Sequence, residues 1–230
     1  MILIATISVS AIAASLAMIL SALMNAKTNP AISNVLVRFL GETGEVLLEK
    51  EVPQGAFAIP PSDIPLSNNQ VMQGWYGSML NVSSDSDCRI SLKDVTNETN
   101  VFYINTQYIP CEGSFEMEVR VGGQVDLSII ELILPYDERT LQYESSKTDI
   151  GTVVTKEAGE LYFQLDSDRS IEESTVLFSA EFKVDGSPFT FLELKPNITK
   201  AITRLENGAE TTEYQIIPAK IYLYDMEVSK

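Results

Sequence analysis

The chain contains no histidine, and this settles much of what its side chains can do. Ser–His and Cys–His nucleophiles are excluded, and with them most zinc sites. Acid–base work by two carboxylates survives, since glycoside hydrolysis needs only a pair of Asp or Glu residues. The chain has 32 acidic residues, too many for any pair to stand out. No catalytic residue and no cofactor is assigned, and the expectation is a protein that is not an enzyme. Asp85–Ser86–Asp87 and Asp166–Ser167–Asp168 open like calcium loops. Neither has the glycine and bidentate glutamate at the required spacing, so both read as solvated turns and no metal is assigned.

Two kinds of reactive or sticky group remain. Cys88 and Cys111 fit an oxidising compartment, where a disulfide between them would contribute roughly 3 kcal/mol in the chain-entropy model. Two unpaired buried thiols are the rival reading. Tyr214, Tyr222 and Tyr224 form the one aromatic grouping that could stack on a sugar. Tyr222 and Tyr224, two residues apart, share a strand face, and burial in a core is the alternative. Trp75 follows Gly74 and reads as a core residue.

The net charge of −16 repels phosphate backbones and anionic headgroups, which argues against nucleic-acid binding. It suits the solubility of an exported protein. Residues Ile2 to Ala26 carry no charge. As a helix they would extend roughly 37 Å, against a bilayer core of about 30 Å. Residues 1–28 therefore read as a signal peptide or a membrane anchor. A signal peptide lacks its basic start here and has Met24 and Leu20 where small residues are preferred. A pilin-like helix is a third reading, although type IV pilins carry a glutamate at the fifth position, where this chain has Ala5. All three place the remainder outside the cytoplasm, at the cell surface or beyond it.

The elements that follow are strands. Val35, Val37 and Phe39 alternate with Leu36 and Arg38, the run GETGE turns the chain, and VLLEKEV returns as the second arm of a hairpin. A proline-rich loop, Gly74–Trp75–Tyr76 and the alternating stretch Val95–Tyr108 complete a first module over 33–110. Its residues Val37, Phe39, Gly44, Val46, Leu47, Gly74, Trp75, Tyr76, Val95, Thr96, Val101, Tyr103 and Tyr108 resemble the small β-grasp repeat of bacterial surface proteins known from Listeria and Bacteroides.

A second module is expected over 113–229. Phe115, Met117, Val119 and Val121 alternate with Glu116, Glu118 and Arg120, and about nine strands at short spacing predict a β-sandwich of jelly-roll type. A short helical turn is allowed around Ser170–Ser174. The run ELILPYDERTLQY (131–143) gives a strand, a proline-forced corner and an aromatic return into the core. Tyr136, Asp137, Leu141 and Tyr143, then Gly159, Leu161 and Phe163, then Val176, Leu177, Phe178, Ala180, Phe182, Lys183 and Val184 follow in the order of cohesin motifs. The module thus resembles the cohesin domains of bacterial surface and cellulosomal proteins, with Glu138 where a proline is usual. The resemblance implies protein–protein attachment to a dockerin-like or other surface partner. A carbohydrate-binding module and a pilin-like filament subunit are the alternatives. In the attachment reading the working part would be one rigid, partly apolar sheet face with a polar rim; carbohydrate binding would need a row of exposed aromatics on one sheet. Tyr136, Leu141 and Tyr143 are read as core and corner residues.

Overall fold

The computed structural model describes residues 33–166, 168–205 and 208–225. The expected hydrophobic helix of residues 1–28 lies outside them. The described residues are all β, with no helix among them; Ile171 makes an isolated bridge to Leu127 in place of the expected helical turn. Chain contacts group everything from Val35 onwards into one unit.

Alternation builds the first sheet. Strands β1 (Asn34–Leu40), β2 (Val46–Pro53), β3 (Gln70–Tyr76) and β4 (Ser86–Asp94) form a sheet in the order β2-β1-β4-β3, with β1 and β4 parallel. Val35, Val37 and Phe39 of β1 turn the same way as Cys88 and Ile90 of β4, and all five are buried in one apolar cluster. Trp75 joins them, its ring edge-on to Phe39 at 5.1 Å, so the core assignment of Trp75 holds. The proline-rich stretch after β2 runs as coil and is pinned by backbone bonds from Gly55 and Ala58 to the carbonyls of Val82 and Met79.

Val101–Tyr103 and Gln107–Pro110 form strands β5 and β6, and both pair outside the first sheet. By hydrogen bonding, Val101–Tyr103 pairs with β strands of the sandwich and Gln107–Pro110 with a separate small sheet. The alternation there is real, but it serves the sandwich: Phe102 enters the large core, while Val101 and Tyr103 face Val71 and Val95 of the first module.

The sandwich has two five-stranded sheets. One runs β16 (Gln215–Ile217), β5, β7 (Glu112–Gly122), β12 (Thr175–Asp185), β9 (Leu141–Lys147). The other runs β10 (Gly151–Glu157), β11 (Glu160–Leu165), β8 (Ile129–Pro135), β14 (Asn197–Leu205), β15 (Gly208–Thr211). A smaller sheet of β13 (Phe191–Leu194), β17 (Ala219–Tyr224) and β6 closes one side, contributing Ile109, Leu194, Ile221 and Leu223 to the core. Phe115, Met117, Val119 and Val121 of β7 meet Leu132 and Leu134 of β8 in that core, as the period-two pattern requires.

Phe182 is the aromatic centre of one end. Phe115 stacks on it at 5.9 Å, and Tyr136 and Tyr143 approach edge-on at 5.0 and 6.1 Å. The corner between these tyrosines is set by Asp137. Its carbonyl accepts from the backbone N–H of Thr140 and Leu141, and its carboxylate accepts from the N–H of Arg139. Leu141 is fully buried, and both tyrosines pack against the core.

Two expectations need correction. The disulfide is not formed: Cys88 and Cys111 are free thiols. The reason lies in which core each joins, since Cys88 is sealed among Phe39 and Trp75 while Cys111 packs against the sandwich cluster. Burial pushes the Cys88 thiol up to about 11. About nine strands are expected over 113–229, whereas eleven, β7 to β17, form among the described residues, with β14 as the inner neighbour of β8. A bulge between Ile198 and Lys200 breaks its alternation, and its lysine and threonines hide the pattern.

Candidate protein-binding face

Cross-strand register decides which side chains leave the sandwich together. On the β10-β11-β8-β14 sheet, Val154 lies opposite Tyr162, Tyr162 opposite Ile133, and Ile133 opposite Asn197. The next outward row places Thr152, Gln164, Glu131 and Lys200 in line. Ile129 and Ile202 are paired one step further along. Val154 is 47% exposed, and Tyr162, Ile133, Ile129 and Ile202 are half-buried. The result is an apolar row across β10, β11 and β8 that ends on Asn197 of β14, with Ile129 and Ile202 as a second apolar pair beyond the polar row.

Its rim is polar and ordered. Lys156 Nζ stands 5.5 Å from the Tyr162 ring centroid, Lys200 pairs with Glu131 at 3.5 Å, and Thr199 donates its hydroxyl to the Glu131 carbonyl. Partial burial, with Glu131 nearby, raises the Tyr162 phenol above its ordinary range, so it stays neutral. An apolar centre with a charged and amide rim suits burial against a protein surface. No residue of this strip stands out in sequence as a site, because half-buried Ile and Val on a strand look like core until the register is known.

The first acidic pair is not a free turn, since Ser86 and Asp87 already belong to β4. Asp85 accepts from the Leu36 N–H and Asp87 holds Arg38 at 2.8 Å. No group of three potential ligands that could hold a metal occurs among the described residues.

The three tyrosines singled out for sugar stacking are not brought together. Tyr214 lies between β15 and β16, edge-on to Phe102 at 5.9 Å, and donates its hydroxyl to the Ile198 carbonyl. Tyr222 and Tyr224 do share the outward face of β17, but Phe57 of the first module stacks on Tyr224 at 5.5 Å and buries it. Tyr222 is regrouped with Tyr108 and Phe191, its register neighbours on β6 and β13.

No family model and no curated protein matches the sequence. Solved structures do resemble this chain. The seventh ScaB type I cohesin from Pseudobacteroides cellulosolvens superposes with a TM-score of 0.50 at 12% identity, covering 55% of this chain and 93% of that one. A non-cellulosomal cohesin from the archaeon Archaeoglobus fulgidus gives 0.45 at 13% identity over 56% and 94%. A type I cohesin–dockerin complex from Clostridium thermocellum gives 0.46 at 10% identity over 58% and 99%. The fold is therefore that of a cohesin-like β-sandwich, extended by a first sheet.

Proposed function

We propose that the protein is a non-catalytic, exported surface protein that mediates protein–protein attachment, binding a dockerin-like partner on the outward face of β10, β11, β8 and β14. The observation that carries this reading is the Val154–Tyr162–Ile133 row with its Lys156, Gln164 and Lys200 rim. A face of this kind gains from desolvating its centre while the rim selects the partner. The cohesin-like order of the three sequence motifs supports the partner class. The uncharged segment 2–26 and the net charge of −16 support export to the cell surface or beyond, with membrane attachment through that segment wherever it is kept. A two-module organisation, with a β-grasp-like first module, belongs to the same reading.

The test uses the full chain and a panel of recombinant dockerin modules, with binding followed by calorimetry. Val154→Asp sits on an exposed position of the strip, so it tests the face without disturbing the core. Loss of an apolar contact worth about 2 kcal/mol weakens binding roughly thirtyfold. Binding that ignores Val154→Asp, or no binding across the panel, sinks the proposal.

A further inference from the structure

At the seam between the first sheet and the β13-β17-β6 sheet, aromatic side chains collect around Tyr222. The rings of Tyr108 and Tyr222 stack at 4.8 Å with 9° between their planes, and Phe191 leans on Tyr222 at 5.8 Å. Two hollows open on either side of this row and share Trp75, Tyr108 and Tyr222 as walls. One, of about 350 Å³, is further lined by Gln73, Tyr76, Ser91 and Lys220. The other, of about 270 Å³, is further lined by Phe57, Leu80, Phe189 and Phe191. Tyr76 is 70% exposed and makes no ring contact among the described residues.

The row is fixed before any ligand arrives. The Trp75 backbone N–H donates to the Tyr108 hydroxyl at 3.1 Å, which locks the lower ring of the stack. Gly74 makes room for that hydroxyl: its φ is +137°, and a Cβ there would stand 3.2 Å from the Tyr108 oxygen. Trp75 is itself buried, and its indole N–H has no hydrogen-bond partner among the described residues. Platforms held in this way lose little entropy on binding.

Charge selects the occupant. The chain carries 32 acidic residues, yet no carboxylate lines either hollow, and the charged lining group is Lys220, with Nζ 5.3 Å from the Phe191 ring centroid. A basic protein partner would find no counter-charge there. A neutral or acidic polysaccharide carries no positive charge, offers C–H ring faces to aromatic side chains and offers hydroxyls to Gln73, Ser91 and Lys220.

We propose that this seam is a polysaccharide-binding site, with a sugar ring stacked on the exposed Tyr76, its edge against the rim of Tyr222, and hydroxyls held by Gln73, Ser91 and Lys220. It lies on a different sheet from the attachment face and does not depend on it.

The full chain is run in affinity gels containing hydroxyethylcellulose, xylan or polygalacturonate, and is mixed with microcrystalline cellulose and chitin. Retention by at least one of these glycans is expected, falling at least tenfold in both Tyr76→Ala and Tyr222→Ala and unchanged in Tyr214→Ala and Val154→Asp. Tyr76 is exposed, so its variant folds as the parent does and loss of retention reports the site. No retention on any of the five glycans overturns the proposal, as does retention that survives Tyr76→Ala.

Discussion

On β7, β12 and β9 the outward positions are Ser114, Glu116, Glu118, Arg120, Ser179, Glu181, Lys183, Gln142, Ser145 and Lys147, with the half-buried Val176 opposite Arg120 as the apolar exception. On β10, β11, β8 and β14 they include Val154, Tyr162, Ile133, Ile129 and Ile202. The two sheets pack their inner faces into one core, so stability places the same demand on each. The difference lies outside that demand. Glu116 binds Lys147 at 2.6 Å, Ser145 donates to Glu181, and Arg120 holds Glu118, so the first face is occupied with its own charges. The second leaves apolar area for a partner to cover. Function on such a scaffold is read from the face that the core does not explain.

The largest expected effect breaks both faces together. Phe182→Ala removes the ring that gathers Phe115, Tyr136 and Tyr143, and should cost about 3–5 kcal/mol in chemical denaturation. A loss below about 1 kcal/mol would mean that the aromatic cluster is not the anchor of that end.

The next effect separates the faces. Val154→Asp should lower dockerin affinity roughly thirtyfold, whereas Lys183→Ala on the charged face should change it less than twofold. Equal losses from the two substitutions would erase the distinction between the sheets.

A smaller effect reads the seam by alkaline titration. Burial pushes the Tyr108 phenol up to about 12, from an ordinary value of 10. Its folded value is raised, so its contribution is complete below pH 10 and is lost as pH climbs toward 12. Trp75, the one tryptophan of the chain, donates its backbone N–H to this phenol, so its fluorescence should change across that window. In Tyr108→Phe this step should vanish; a persisting transition of the same size would assign it to another group.

The smallest effect belongs to the charged face. The hydrogen bond from Lys147 holds the Glu116 carboxyl below its ordinary value of 4.5. The contribution is therefore present above pH 4.5 and fades as pH falls through the lowered folded value. Lys147→Met should move the acid-unfolding midpoint slightly upward and leave stability at neutral pH and high salt unchanged, because both groups are exposed. A marked loss at neutral pH would show that this face also carries structural weight.

Much of the sandwich was legible in the chain. Phe115, Met117, Val119 and Val121 turn inward as their alternation requires, and Tyr136, Leu141 and Tyr143 return to the core around the Asp137 corner. The proposed attachment face was legible only as a kind of surface, without its residues. Ile133 and Val154 differ from core residues solely in which way their strand is turned, and that is fixed by partners distant in sequence. β14 escaped notice because its bulge and its Lys200 interrupt the period that marks a strand.

Absence of histidine, an acidic charge and period-two alternation are local or additive properties, so the sequence by itself determined the excluded chemistries, the β class and the cohesin-like motif order. Pairing and burial are not local. Only the tertiary structure paired Val101–Tyr103 with the sandwich, left Cys88 and Cys111 in separate cores, covered Tyr224 with Phe57 and set Tyr222 against Tyr108. Each of these outcomes depends on which remote segment arrives next to a side chain, because burial free energy is set by the area that neighbours cover and a residue's own type does not name its neighbours.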